Sequence, residues 1–407
     1  MSMKFSFPIE SVKEGEAKIA VPKLELSLAE SLEHVPSKAP VFYNPRMELN
    51  RDLSVLILQV YQRTVNREIV ACEPLAGSGV RGIRFAKEVR DLEKLVINDI
   101  RPEAAKLAQF NVEKNKTSRK IKVFNEDANF LLSQFAAPRR RFDYVDIDPF
   151  GSPVIYLDSA IRAMRNGGLL ALTATDMAPL CGVHPKACLR KYGGRPLRTE
   201  YCHELALRLL IGCTVIIAAK HDVGLQVVFS FSAHNYVRTY VILRYGAKEA
   251  DESVNAMGYI QHCFACFHRH AIYGLNSCVD KVCPECGSKL NSAGPLWLGQ
   301  LWSKQYCKDL LGEADARNLR LKQQIRRLLF VTSGESEAPM TYFVIDKLCD
   351  KWSLAIPPFH KIVMELRKKG YEAVLSHFSP KALRTSAPAS IMKEILEKFA
   401  GCQKAVV

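Results

Sequence analysis

A doubly wound α/β sheet is the fold class this sequence predicts for its first 250 residues, and three observations predict it. From about residue 67, short apolar runs alternate with helical stretches. A glycine loop, Gly77-Ser78-Gly79-Val80-Arg81-Gly82, joins the first such strand to the first such helix. Three later strand-like runs end in a carboxylate, at Asp99, Asp127 and Asp148.

The elements follow in order. Residues 1 to about 45 carry little regular pattern, apart from an opening hairpin over 9–22 that turns at Gly15. Phe42-Tyr43-Asn44-Pro45 breaks the chain before a helical pattern over 53–60. Strands are expected over 68–73, 94–98, 121–125, 142–147 and 169–173, with helices over 80–89, 102–115, 129–135 and 153–165 between them. Pro102 sits in a first turn, where its missing N–H costs nothing. Gly167-Gly168 is expected to stop the helix over 153–165. A helix over 199–211 precedes strand-like runs over 214–220, 226–233 and 238–245, the last of which suit an antiparallel edge. Composition then shifts. Residues 247–255 are charged and read as a linker, and 258–295 are rich in Cys, His, Gly and Pro. A basic helix is expected over 312–329, a polar linker over 332–339, and a small helical module over 340–407 with helices at 345–352 and 359–369.

The chain has 407 residues, enough for two or three domains. Its net charge of +15 suggests a polyanionic partner, most simply a nucleic acid. Residues 1–10 have no apolar core of signal-peptide length, and no run of 18 apolar residues predicts a membrane span. Of the 13 cysteines, Cys72, Cys202, Cys213 and Cys349 lie in apolar segments and read as reduced, buried side chains. A reducing, cytoplasmic setting is therefore expected.

The chemistry gathers at the strand ends. The spacing of Gly77, Gly79 and Gly82 fits a loop that lets backbone approach a nucleotide. Asp99 follows the next strand, where a carboxylate binds ribose hydroxyls, and Asp127-Ala128 follows the third, at the height of an adenine edge. Asp99 and Asp127 also suit the simpler role of capping the helices behind them. A dinucleotide and S-adenosylmethionine compete for such a site. Glu73 before the loop, Asp127, and Asp148-Pro149-Phe150-Gly151 at the fourth strand end favour the sulfonium donor. Pro149 biases Asp148 to extended backbone, setting a carboxylate beside an aromatic ring.

Several motifs together carry a resemblance: Phe42-Tyr43-Asn44-Pro45, Asn50-Arg51-Asp52, Gly79-Val80-Arg81-Gly82-Ile83-Arg84, Asn98-Asp99, Asp148-Pro149-Phe150-Gly151-Ser152-Pro153, Thr175 to Gly182, Arg198 to Glu204, Gly294-Pro295-Leu296-Trp297, and His377-Phe378-Ser379-Pro380. The chain resembles the tRNA guanine-26 N2-dimethyltransferases over nearly its whole length. The resemblance implies a Rossmann-like class I methyltransferase domain with an N-terminal extension over 1–250. It implies a C-terminal tRNA-binding domain over 251–407, with a winged-helix-like module. It carries donor binding onto Arg51, Arg81, Asp99, Asp127 and Ala128, and catalysis onto Asp148 with Phe150 beside the base. Arg84 competes with Arg81 within one motif. The implied partner is tRNA, with no membrane and no obligate protein partner.

Cys263-x-x-Cys266 and Cys283-x-x-Cys286 are separated by 16 residues, the spacing of a four-thiolate zinc ribbon over 258–295. Cys278, His268 and His270 are substitute ligands. The expected chemistry follows: Asp148 accepts a hydrogen bond and then a proton from the exocyclic amine of a guanine turned out of the RNA, and Phe150 stacks on the ring. Asp146 reads as a buried strand carboxylate paired with a cation. Arg317 to Arg327, Arg367-Lys368-Lys369, Lys381 and Arg384 are expected to grip phosphates. A nicotinamide oxidoreductase, a non-catalytic RNA-binding protein and a methyltransferase on another exocyclic amine are the alternatives.

Overall fold

The computed structural model describes residues 4–23 and 39–404. Residues 24–38, part of the pattern-poor opening stretch, lie outside the described residues. The chain forms two compact units: Met1–Pro149, Tyr156–Leu172 and Lys308–Arg327 make the first, and Phe150–Ile155, Thr173–Cys307 and Leu328–Val407 the second.

The first unit opens with the expected hairpin, β1 (Ile9–Glu14) and β2 (Ala17–Pro22). Gly15 takes φ +52° in its turn, and Glu14 pairs with Ala17. A single turn of 3-10 helix at Pro45–Met47, in which the Asn44 side chain accepts the Arg46 N–H, leads into the helix Glu48–Val65. That helix is longer than its apolar core predicts, because even its polar residues Asn50, Arg51 and Asp52 are buried. Five strands follow: β3 (Ile69–Glu73), β4 (Leu92–Asn98), β5 (Ile121–Phe124), β6 (Phe142–Ile147) and β7 (Met164–Ala174). They pair in parallel in the order β5-β4-β3-β6-β7. The helices Val80–Glu88, Pro102–Lys114 and Ala128–Gln134 link the strands. The order reverses at β3, so the loops leaving β3 and β6 part and open a crevice at their carboxyl ends.

One boundary differs here. The expected helix over 153–165 is a 3-10 turn at Val154–Tyr156 followed by a short helix, Leu157–Arg162. Gly167-Gly168 lies inside β7, not at a helix stop. The register shows why: Phe142 faces Met164, but Tyr144 already faces Leu169. The extra residues bulge out of β7, and Gly167 at φ +77° takes the bend.

In the second unit, the helix Cys202–Ala219 absorbs the residues read as a strand over 214–220. Burial along its length outweighs the β-preference of Thr214, Val215, Ile216 and Ile217, and Thr214 Oγ1 donates to Leu210 O at 2.8 Å. Among the described residues this is the one helix long and apolar enough to cross a membrane, but 67% of it is buried, as in a core helix. β8 (Val223–Ala233) and β9 (Tyr236–Tyr245) form an antiparallel hairpin. The expected linker over 247–255 is instead the helix Ala247–Asn255, whose charges face solvent while Ala250 and Ser253 are buried. β10 (Met257–His262), β11 (Arg269–Tyr273) and β12 (Asn291–Trp297) form a three-stranded sheet in the order β11-β10-β12.

The basic stretch over 312–329 is two helices, Lys304–Asp315 and Lys322–Glu335. Lys322 Nζ donates to the carbonyls of Asp315 and Arg317, which closes the first helix. Residues 332–335, read as linker, finish the second. The C-terminal module adds to the expected helices Ile345–Trp352 and Phe359–Lys368 a small sheet, β13 (Phe343–Val344), β14 (Val374–Leu375) and β15 (Ala382–Arg384), and a last helix, Ala389–Lys404. Leu348, Ile362, Leu366, Leu383, Met392 and Ile395 form its core.

Candidate active site

The site of the first unit is built on the turn after β3. Gly79 precedes the helix Val80–Glu88 at φ +76°. A Cβ on Gly82 would lie 2.6 Å from Ile97 Cγ2, so only glycine lets this helix close on β4. Gly77 N donates to Asp99 Oδ2 at 2.9 Å, and Arg101 N to Asp99 Oδ1 at 3.0 Å. Asp99 is thus fixed at the carboxyl end of β4 with the loop folded over it. Asp127 accepts the Phe130 N–H at 3.0 Å, the helix-capping role, and remains exposed; Ala128 behind it is buried.

Two residues here carried no assigned role in the sequence. The Asn98 side chain donates to Pro74 O and Glu126 O and accepts from Glu126 N, so it braces three strand-end loops. Tyr156 lies close to both Asp127 and Asp99, and burial with these two carboxylates pushes its phenol pKa up. Only the 3-10 turn, invisible to helical periodicity, puts Tyr156 there.

The centre is Arg81. Its Nη1 donates to Asp146 Oδ1 at 2.5 Å, and its Nη2 to Asn50 Oδ1 at 3.0 Å and to Asp148. Tyr144 OH donates to the other oxygen of Asp146 at 2.6 Å. Glu73 accepts the Gly82 N–H and lies 3.9 Å from Arg81 Nε. Burial pushes the Glu73 carboxyl up to about 8 against the pull of Arg81, and Asp146 and Asp148 add to the rise. The cluster therefore gathers three acidic side chains around one cation. Asp146 is buried and paired, as its sequence context predicts, while the Asp148 side chain keeps 16% exposure.

Arg84 is elsewhere. Fully buried, it contacts Glu14 at 3.1 Å, Asp52 at 2.7 Å and Glu88 at 2.9 Å. Of the two competing arginines, Arg81 is the one against Asp148. Arg51 makes two 2.6 Å bonds to Glu14, so its guanidinium belongs to the Glu14–Arg84 network rather than to the Arg81 cluster. Burial pushes the Glu14 carboxyl up, but the two arginines bring it down to about 2.

Phe150 belongs to the second unit and is 63% exposed. The turn that bears it is clamped: Gly151 N donates to Thr175 Oγ1 at 2.7 Å, and Thr175 N to Gly151 O at 2.9 Å.

A family model described as N2,N2-dimethylguanosine tRNA methyltransferase matches residues 15–397. The chain belongs to this family. Among its relatives, a tRNA (guanine(26)-N(2))-dimethyltransferase of Methanobrevibacter smithii is 38% identical over 96% of this chain and 98% of its own. A tRNA (guanine(26)-N(2)/guanine(27)-N(2))-dimethyltransferase of Aquifex aeolicus is 36% identical over 96% of each. The solved structure of Trm1 from Pyrococcus horikoshii with S-adenosyl-L-methionine superimposes with a TM-score of 0.83 at 35% identity, covering 95% of this chain and 99% of that one. The mixed α/β architecture with a large central sheet is thus that of the N2,N2-dimethylguanosine tRNA methyltransferases.

The four cysteines of the paired motifs converge in the second unit. Cys263 Sγ lies 3.5 Å from Cys286 Sγ, Cys266 Sγ 3.6 Å from Cys283 Sγ, and all four sulfurs fall within 4.8 Å of one another. The two turns repeat each other. Cys263 N donates to His268 O and Phe267 N to Cys263 O, while Cys283 N donates to Ser288 O and Gly287 N to Cys283 O. Phe267 and Gly287, at matching positions, both take positive φ. Such a set suits a tetrahedral ion with no open position. His268 is bonded to Glu285 and to His270, and Cys278 is exposed, so none of the three substitutes joins the cluster. None of the cysteines whose side chains are described forms a disulfide.

The basic surface needs one correction. Arg384 is buried, with Nε 2.7 Å from Glu335 and Nη2 2.8 Å from Glu204, so it cannot reach a phosphate. Arg320 is paired with Glu48, Arg326 with Asp315, Lys369 with Glu394 and Lys381 with Asp346.

Proposed function

We propose that this protein transfers methyl groups from S-adenosylmethionine to the exocyclic N2 amine of guanine 26 in tRNA. The observation that carries the reading is the Arg81–Asp146–Asp148 cluster in a chain that belongs, over nearly its full length, to this methyltransferase family. S-adenosylmethionine, when bound, supplies a methyl group on a sulfonium cation. The residues fit it. Asn50 Nδ2 and Ser78 Oγ are buried donors with no hydrogen-bond partner, one on the Arg81 cluster and one in the glycine loop, and both suit a carboxylate. Donor binding falls to Arg81, Asp99, Asp127 and Ala128, with Arg51 acting from the wall beside Asn50. Tyr156 joins them.

Guanine N2 is a poor nucleophile, because its lone pair is delocalised. Asp148 holds Arg81 through Oδ2, which leaves Oδ1 to accept a hydrogen bond from the amine. Asp148 orients the amine first and takes its proton as methylation makes the amine acidic. Phe150 stacks on the base, on a turn kept in place by Thr175.

Zinc at Cys263, Cys266, Cys283 and Cys286 would fix the ribbon over 258–295, a segment too small for a core of its own. We assign residues 1–250 to methyl transfer and 251–407, with its winged-helix-like module, to tRNA binding. The exposed cations there, such as Lys368 and Arg327, contact phosphates. The absence of disulfides among the cysteines whose side chains are described suits the reducing cytoplasm, where the substrate is found.

The test is mass spectrometry of nucleosides from unmodified tRNA incubated with the protein and methyl donor. N2-methyl- and N2,N2-dimethylguanosine, lost when guanine 26 is replaced, is the expected result. Transfer that persists without guanine 26, or none at all, overturns the reading.

A further inference from the structure

Outside the ribbon, a second group of thiols and imidazole has no assigned role. Cys181 closes the turn after a short helix, Met177–Leu180, and is buried. Cys202 and His203 open the helix Cys202–Ala219 and are half-buried. The two sulfurs and one imidazole nitrogen lie within 4.8 Å of one another. The Cys202 sulfur stands in the first turn of an 18-residue helix, beside that of Cys181.

We infer that Cys181, Cys202 and His203 form a second binding site for a soft divalent cation, zinc or cadmium. Two thiolates and one imidazole are the donor types such ions take. Bond lengths near 2.3 Å to sulfur and 2.0–2.1 Å to nitrogen place tetrahedral donors about 3.8 Å apart, so the ring of donors closes with shifts of roughly an ångström. Three protein ligands leave the fourth position to water, and Cys202 and His203 are open enough for a water to reach it. The site therefore exchanges its ion, unlike the four-thiolate site, whose coordination is closed. Its position has a consequence. The segment it anchors begins at Thr175, whose hydroxyl accepts the Gly151 N–H, so an ion at Cys181 pins the far end of the strap that holds the Phe150 turn.

The experiment is a cadmium titration of the full-length protein, purified with zinc and under reducing conditions. Total bound metal per chain and the thiolate-to-cadmium absorbance are read after desalting. The wild type takes up one equivalent beyond the four-cysteine site. Cys202→Ser and Cys181→Ser lose that equivalent and keep the ribbon metal, while His203→Ala weakens its binding roughly tenfold or more. Cys278→Ser, which removes an exposed thiol outside both sites, binds as the wild type does. Should a serine variant fail to fold, His203→Ala and the wild-type stoichiometry still decide. No extra equivalent in the wild type, an extra equivalent that survives Cys202→Ser, or a Cys181–Cys202 disulfide in the reduced preparation overturns the inference.

Discussion

Replacing Asp148 by asparagine separates chemistry from binding. The exchange keeps size and an acceptor oxygen but removes the charge. Arg81 retains Asp146 at 2.5 Å and Asn50 at 3.0 Å, and an amide oxygen can still accept from its Nη2. Because the Asp148 side chain is partly exposed, the lost ion pair costs folding only about 1–2 kcal/mol. The rate suffers more. A positioned proton acceptor contributes about 10²–10⁴-fold, equal to roughly 3–5 kcal/mol of barrier. Single-turnover transfer of labelled methyl to tRNA should slow by that factor. Donor affinity, measured by calorimetry, should stay within about threefold, less than ~0.7 kcal/mol. A rate within threefold of wild type refutes the proton-acceptor role. A loss of donor affinity that accounts for the whole rate defect refutes it equally, by making Asp148 a binding residue.

Other consequences are testable alongside it. Glu73 is held near 8, above an ordinary carboxyl at 4.5, so the folded state binds its proton more tightly than the unfolded state does. Stability should therefore fall as pH rises from 4.5 towards 8, and thermal unfolding of Glu73→Gln should show a flatter profile over that window. Arg384→Met strands Glu204 and Glu335 beside Arg208 and His377 and should cost about 3–5 kcal/mol in urea unfolding; under 1 kcal/mol would mean the network is dispensable. Chelation should release one ion from the four-cysteine ribbon and expose residues 258–295 to protease, and a ribbon that stays resistant after metal loss speaks against a structural ion. Thr175→Val should lower methyl transfer while leaving donor affinity unchanged, and Thr175→Ser should restore it, because the clamp on Gly151 needs only the hydroxyl.

The parts of this fold that sequence made legible are those with local causes. The parallel strands announced themselves as apolar runs, and the paired C-x-x-C motifs came with their own spacing. Failures arose where tertiary packing decides. Thr214 to Ile217 favour a strand by type, yet the burial of Thr214, Val215 and Ala218 on one face keeps them in the helix. The Gly167-Gly168 pair reads as a stop and is a bulge, because register with Phe142 is set across the sheet. The site divides likewise. Asp99, Asp127 and Asp148 were visible as carboxylates at strand ends. The company Arg81 keeps was not, since Asn50, Asp146 and Asp148 come from distant segments, and nothing local distinguishes Arg81 from Arg84. Arg384 looked like a phosphate ligand because a charge in a sequence does not reveal its counter-charge.

The hairpin turn offers a last lesson. Glu14 is the joint counter-ion of Arg51 and Arg84, and the matched family span starts one residue after it. A chain trimmed to residues 15–397 would look complete by homology yet leave two interior guanidinium groups short of a shared carboxylate. Residues 4–14 belong to the folding unit of the parallel sheet, and a deletion that reaches Glu14 removes an interior counter-charge.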